Sequence, residues 1–199
     1  MNLPNKISIV RICMIPVFVA LFFVDFPFSH AVSAAVFALA ALTDALDGHI
    51  ARSRNLVTNL GKFLDPIADK VLVATAMILL LTMKNSLFEA FGNASEWAYI
   101  ATAVAICVIL ARELIISAFR QIAAARGLVL AAEKLGKYKT TFQDACVVVL
   151  LVSVSLSGMA QKVCNIAGLV LFAVAVVLTV VSGVSYVVKN KSVLKDTAR

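Results

Sequence analysis

Four aspartates lie between positions 44 and 69: Asp44 and Asp47, then Asp65 and Asp69. The first two are three residues apart and the second two are four apart, so each pair falls on one face of a helix, with Cβ atoms about 5–6 Å apart. Two such faces turned toward each other make a cage of hard oxygen ligands, and carboxylate cages select Mg²⁺ or Mn²⁺, whereas soft metals want Cys or His. Residues between the acids fit a diphosphate. Gly48 removes a side chain directly after Asp47, Ala51 keeps the same face small, Arg52 balances phosphate charge, and Gly61 suits the next helix in the same way. A plainer reading makes Asp65 the N-cap of a helix with Pro66 at its first position, and the glycines mere caps or packing residues. That reading leaves Asp44, Asp47 and Asp69 without a role.

The rest of the chain explains why acids here need a role. Of its 199 residues 62% are hydrophobic and 15% charged, and the mean hydropathy is +0.98, the balance of a membrane protein rather than a soluble domain. An uncompensated Asp at the centre of a spanning helix costs about 2.5–3.5 kcal/mol on insertion scales. Acids in such a setting are functional by default. Apolar runs predict six transmembrane helices in one domain, 1–199, over about Asn5 to Val24, His30 to Ile50, Phe63 to Met83, Glu96 to Phe119, Thr140 to Ser157 and Val163 to Val188. Turn signals separate them at 25–29, 53–61, 84–95, 121–139 and 158–162. The N-terminal run reads as a retained helix, since no small-residue cleavage site follows it.

An even number of crossings puts both termini on one side. Lys6, Arg11, Arg52, Arg54, Lys62, Lys70 and the later Arg112 to Arg199 basics fall toward that side, against Lys84 and Lys162 on the other. The positive-inside rule makes it cytoplasmic, and the four aspartates share it. The formal charge of +7 therefore reflects topology and anionic lipid rather than nucleic acid. Cys13, Cys107, Cys146 and Cys164 show no metal-ligand spacing and read as buried small hydrophobes.

A second polar group lies in the later half. Arg112 and Arg120 are eight apart in ARELIISAFR, nearly in line on one helix face, and Lys134, Lys137 and Lys139 follow in AAEKLGKYKTTFQ. Arg112 lies deep enough to need a partner, for which Glu113 is the candidate. As a cluster these cations suit an anionic acceptor such as a phosphate. His30 falls on the side away from the acids, His49 points away from Asp47, and Trp97 with Tyr99 fits an interfacial aromatic belt.

Together Asp44, Asp47, Gly48, Ala51, Arg52, Gly61, Asp65 and Asp69 spell D-x2-D-G-x2-A-R-x8-G-x3-D-x3-D. This resembles the signature of the CDP-alcohol phosphatidyltransferases, over essentially the whole chain. The resemblance implies transfer of a phosphatidyl group from a CDP-linked lipid to an alcohol with release of CMP. Asp44, Asp47, Asp65 and Asp69 would be ligands of Mg²⁺ or Mn²⁺, Asp69 would also be the catalytic base, and Gly48, Ala51, Arg52 and Gly61 would line the cytidine diphosphate site. Asn5, Ser8 and Arg11 fit the family-like P-N-x-x-[ST]-x-x-R pattern and would touch the CDP-lipid. LPNKISIVRICMIPVF, ARELIISAFR and EKLGKYKTTFQ resemble the bacterial branch of the family that makes phosphatidylglycerophosphate. That implies CDP-diacylglycerol as donor and glycerol 3-phosphate as acceptor, with Arg112, Arg120, Lys137 and Lys139 on its phosphate.

The resemblance further implies a homodimer in the cell (inner or plasma) membrane with its active site facing the cytoplasm. Inositol phosphate is the alternative acceptor. From other classes, a divalent-cation transporter fits poorly with acids gathered at one end of the membrane beside Arg52, and an aspartate-rich prenyltransferase needs more helices and two separated acid motifs.

Overall fold

The structure is a computed structural model of the whole chain. It describes the backbone of residues 3–53, 59–125, 128 and 134–191, and the side chains of 7–43, 67–89, 91–124, 128 and 135–191. Among the described residues six long helices carry the fold: α1 (Leu3–Phe23), α2 (Ser29–Ser53), α3 (Asn59–Thr82), then, beyond a short α4 (Lys84–Phe88) and a 3₁₀ segment (Glu89–Ala94), α5 (Ser95–Ala125), α6 (Lys134–Val154) and α7 (Gly158–Lys189). No strand occurs among the described residues.

Local chemistry sets the boundaries. Pro4 suits the first turn of α1, where its missing N–H is no loss, and Pro27 lies in the connection before α2. Gly158 opens α7 with φ +65, directly after the extended Ser157; a left-handed backbone is one that glycine adopts without steric cost. Three boundaries differ from the sequence expectation. The connection at 84–95 folds into α4 and the 3₁₀ segment, the segment 158–162 is already α7, and α5 continues to Ala125 because RQIAAA after Phe119 is rich in strong helix formers. Helix α3 starts at Asn59, so Asp65 lies inside it and the N-cap reading of Asp65 is set aside.

The core forms where α1, α2, α3 and α6 meet. Phe18 and Phe37 are fully buried, with ring centroids 5.9 Å apart. Ala34 and Ala40 are small enough to let α2 approach its neighbours, and both are buried within the subunit. Gly168 serves the same end between α6 and α7: a Cβ there would stand 2.5 Å from Leu150 Cδ2. The amide of Ala31 donates to Ser155 Oγ at 2.9 Å, tying α2 to the end of α6.

The outer surface is apolar. Trp97, Met159, Leu114, Phe23, Val184 and Val177 are each more than 60% exposed or close to it, a pattern that fits hydrocarbon and not water. Phe91–Ala124 and Gly158–Lys189 are long and apolar enough to cross a membrane, and shorter apolar stretches lie at Ile7–Phe23 and Ser29–Thr43. The chain is thus an all-α membrane protein. The cysteines depart from expectation: Cys146 is buried, but Cys13 and Cys107 lie on the exposed face, and all four are free thiols. In lipid such a thiol is as well placed as in a core, since both are apolar.

Candidate active site

Helices α2 and α3 pack against each other. Asp44 and Asp47 belong to α2, and Asp65 and Asp69 to α3, so two touching helices carry the acid pairs at spacings of three and four. Beyond this helical backbone, Asn5, Asp44, Asp47, Gly48, His49, Ala51, Arg52, Gly61 and Asp65 lie outside the described residues. Lys134 is likewise described in backbone alone. Among the described residues no group of three His, Cys, Asp or Glu side chains stands together. The donor set itself, four carboxylates on two contiguous helices, has the hard-oxygen chemistry that Mg²⁺ or Mn²⁺ requires.

Arg11 and Ser8 are buried to 0% and 1% exposure on α1. The Arg11 Nε donates to the Ala40 carbonyl and to Thr43 Oγ1, each at 3.2 Å, and Thr43 Oγ1 donates to the same carbonyl at 2.6 Å. A fully buried guanidinium is held where hydrogen-bond partners are fixed. Its anchor lies immediately before Asp44 in the chain, so α1 delivers a cation to the end of α2 that begins the acid motif.

Asp69 borders a cavity of about 240 Å³ between α3, α5 and α6, whose polar lining is Asp69, Lys70, Glu113, Lys139, Thr140 and Gln143. The rest of its lining is aliphatic and includes Val71, Val73, Leu110 and Leu114. One carboxylate organises the cations around it. Glu113 Oε1 accepts from Lys139 Nζ at 2.7 Å and from Arg112 Nη1 at 2.8 Å, so the partner expected for Arg112 is present. Arg112 Nη2 continues to Ser182 Oγ on α7 at 3.0 Å. On the α3 side Lys70 Nζ donates to Ser117 Oγ, and Ser117 donates to the Glu113 carbonyl one turn back. Charge-assisted bonds of this kind are stronger than neutral ones.

Arg120 lies further along α5. Its Nε donates to Tyr186 OH at 3.2 Å and its guanidinium stands over the Tyr186 ring at 5.4 Å. Arg112 and Arg120 therefore turn one face toward Ser182 and Tyr186, which are themselves one helical turn apart on α7. Lys137 is exposed on α6, while Lys139 is 3% exposed. Of the predicted site residues with described side chains, the cavity brings together Asp69 and Lys139. Its lining does not include Arg112, Arg120 or Lys137.

Lys70, Gln143, Ser117 and Tyr186 were not singled out from sequence. For two of them a signal existed: Lys70 directly follows Asp69, and Gln143 is four residues after Lys139, on the same helix face. Gln143 is 3% exposed, its amide nitrogen donates to Met77 Sδ at 3.8 Å, and its Oε1 has no hydrogen-bond partner among the described residues.

The chain belongs to the CDP-alcohol phosphatidyltransferase family, whose model matches residues 1–189. Among its relatives is the CDP-diacylglycerol--glycerol-3-phosphate 3-phosphatidyltransferase of Bacillus subtilis (strain 168), 39% identical over 98% of both chains. Proteins with the same name from Salmonella typhimurium (strain LT2) and Rickettsia typhi (strain Wilmington) are similar too. The first is 38% identical over 98% of both chains, and the second 35% identical over 93% of this chain and 94% of the relative.

Proposed function

We propose that this chain transfers the phosphatidyl group of CDP-diacylglycerol to glycerol 3-phosphate, giving phosphatidylglycerophosphate and CMP. Family membership and the printed names of its relatives support the reaction. The observation that carries it is the cavity in which a carboxylate, Asp69, and a buried ammonium, Lys139, share one space.

A hydroxyl oxygen of the acceptor attacks the phosphorus that bears the diacylglycerol. The bond from that phosphorus to the bridging oxygen breaks, and CMP leaves with the bond's electrons. Asp69 takes the hydroxyl proton, the task of a carboxylate within hydrogen-bond reach of the nucleophile. Lys139, with Arg112 behind the shared Glu113 oxygen, draws the acceptor phosphate into the cavity, and Arg120 and Lys137 extend the basic surface along α5 and α6. Asn5, Ser8 and Arg11 support the donor diphosphate, with Gly48, Ala51, Arg52 and Gly61 lining its site. Asp44, Asp47, Asp65 and Asp69 would hold Mg²⁺ or Mn²⁺, which when bound neutralises charge on the diphosphate oxygens.

In this reading all six long helices cross the cell membrane, both termini and the site face the cytoplasm, and two copies form a homodimer. The test is purified protein in detergent with CDP-diacylglycerol, Mn²⁺ or Mg²⁺ and a panel of alcohols, following CMP. Release with glycerol 3-phosphate, abolished by chelation and restored by added metal, is expected. Greater release with inositol phosphate would overturn the acceptor, and no release with any alcohol would overturn the reaction.

A further inference from the structure

We infer that Glu113 is a positioning residue for the acceptor, setting how its phosphate is received by holding Lys139 and Arg112 together; this rests on the phosphatidyl-transfer reading above. A single atom, Glu113 Oε1, accepts from cations on two helices, Lys139 of α6 at 2.7 Å and Arg112 of its own α5 at 2.8 Å. The Lys139 side chain is 4% exposed and that of Glu113 22% exposed. Breaking a buried ion pair by removing one partner leaves an uncompensated charge, so the carboxylate fixes where this ammonium rests.

Arg112 is secured from the opposite direction by Ser182 Oγ, and its stem passes over Gly183, where a Cβ would stand 3.0 Å from Arg112 Cγ. Its Nε is buried without a hydrogen-bond partner among the described residues. The carboxylate also offsets the repulsion between the two cations it joins. Without it, Lys139 and Arg112 would repel each other and lose their shared position; with it, the acceptor adds to an ion cluster whose geometry already exists. Pre-organisation of this kind lowers the ordering cost of binding. Glu113 thus acts through Lys139 and Arg112, and its loss should register in acceptor affinity before it registers in turnover.

The experiment uses the full-length enzyme in detergent, with CDP-diacylglycerol saturating and glycerol 3-phosphate varied. Wild-type CMP release with this acceptor comes first, because its absence sinks the reaction assigned above rather than the role of Glu113. Glu113→Gln keeps the shape and removes the charge. It is expected to raise KM for glycerol 3-phosphate about tenfold or more, with kcat within about threefold and KM for CDP-diacylglycerol unchanged. Glu113→Asp restores the charge one methylene short and should recover part of the loss. A merely structural role would lower thermal stability and active fraction while leaving KM in place. A folded Glu113→Gln with an unchanged KM for glycerol 3-phosphate overturns the inference. If that variant does not fold, an unchanged KM in Glu113→Asp overturns it equally.

Discussion

Two of the hollows that helix α5 borders differ in chemistry more than in size. Toward α3 and α6 it closes the cavity of about 240 Å³ that holds Asp69, Lys70, Glu113 and Lys139. Toward α7 it borders a groove of about 470 Å³ in which Arg112 is the charged residue and Val108, Ile115, Val180 and Val184 form the walls. The roomier hollow is the poorer one in reacting groups. Successive residues on a helix point about 100° apart, so neighbours Arg112 and Glu113 serve different hollows and are joined by a hydrogen bond between them. The groove has the character of a surface for lipid chains, and the cavity that of a place where charge is handled.

The sharpest way to break this comparison is Asp69→Asn. It should lower the rate of CMP release by about 10²–10⁴-fold, the range of a general base, whereas no substitution of an aliphatic groove residue should approach that. Next comes Lys139→Ala, expected to raise KM for glycerol 3-phosphate about 10- to 100-fold, the worth of a hydrogen bond to a charged group. Titrating the acceptor measures it, and an unchanged KM would remove Lys139 from the phosphate site. Gly168→Ala acts on neither hollow. Its Cβ would press on Leu150, and overpacking of this kind costs about 1–3 kcal/mol, seen as a lower melting temperature in detergent with KM unaltered. The smallest effect belongs to Val184→Ala in the groove. At 60% exposure it should change stability by less than about 0.5 kcal/mol and acceptor KM by less than about twofold; a larger rise in KM would mean the groove takes part in acceptor binding.

What was legible in the sequence was local. Long apolar runs announced the helices, and spacings of three and four announced the acid pairs, because both follow from helical periodicity alone. The eight-residue interval between Arg112 and Arg120 likewise foretold a shared face. Sequence did not disclose which helix that face meets, since Ser182 and Tyr186 lie some 70 positions later and only packing brings them near. Lys70 was hidden for the opposite reason. A lysine beside a membrane-end aspartate reads as a topology charge until its link to Ser117 is seen. Cys13 and Cys107 were misjudged as buried because apolar sequence does not distinguish a core from a lipid-facing surface.

The close approach at Gly168 has a mechanical consequence. With the α7 backbone lying hard against Leu150, α6 and α7 form the most extensively packed helix pair, and Lys139, Ser182 and Tyr186 all sit on that pair. Helix α3 is fastened to α5 and α6 by far slimmer seams, with Asp69 at their edge. In the proposed reaction a two-tailed donor would pass along these slimmer seams, where the least packing has to be displaced beside Asp69.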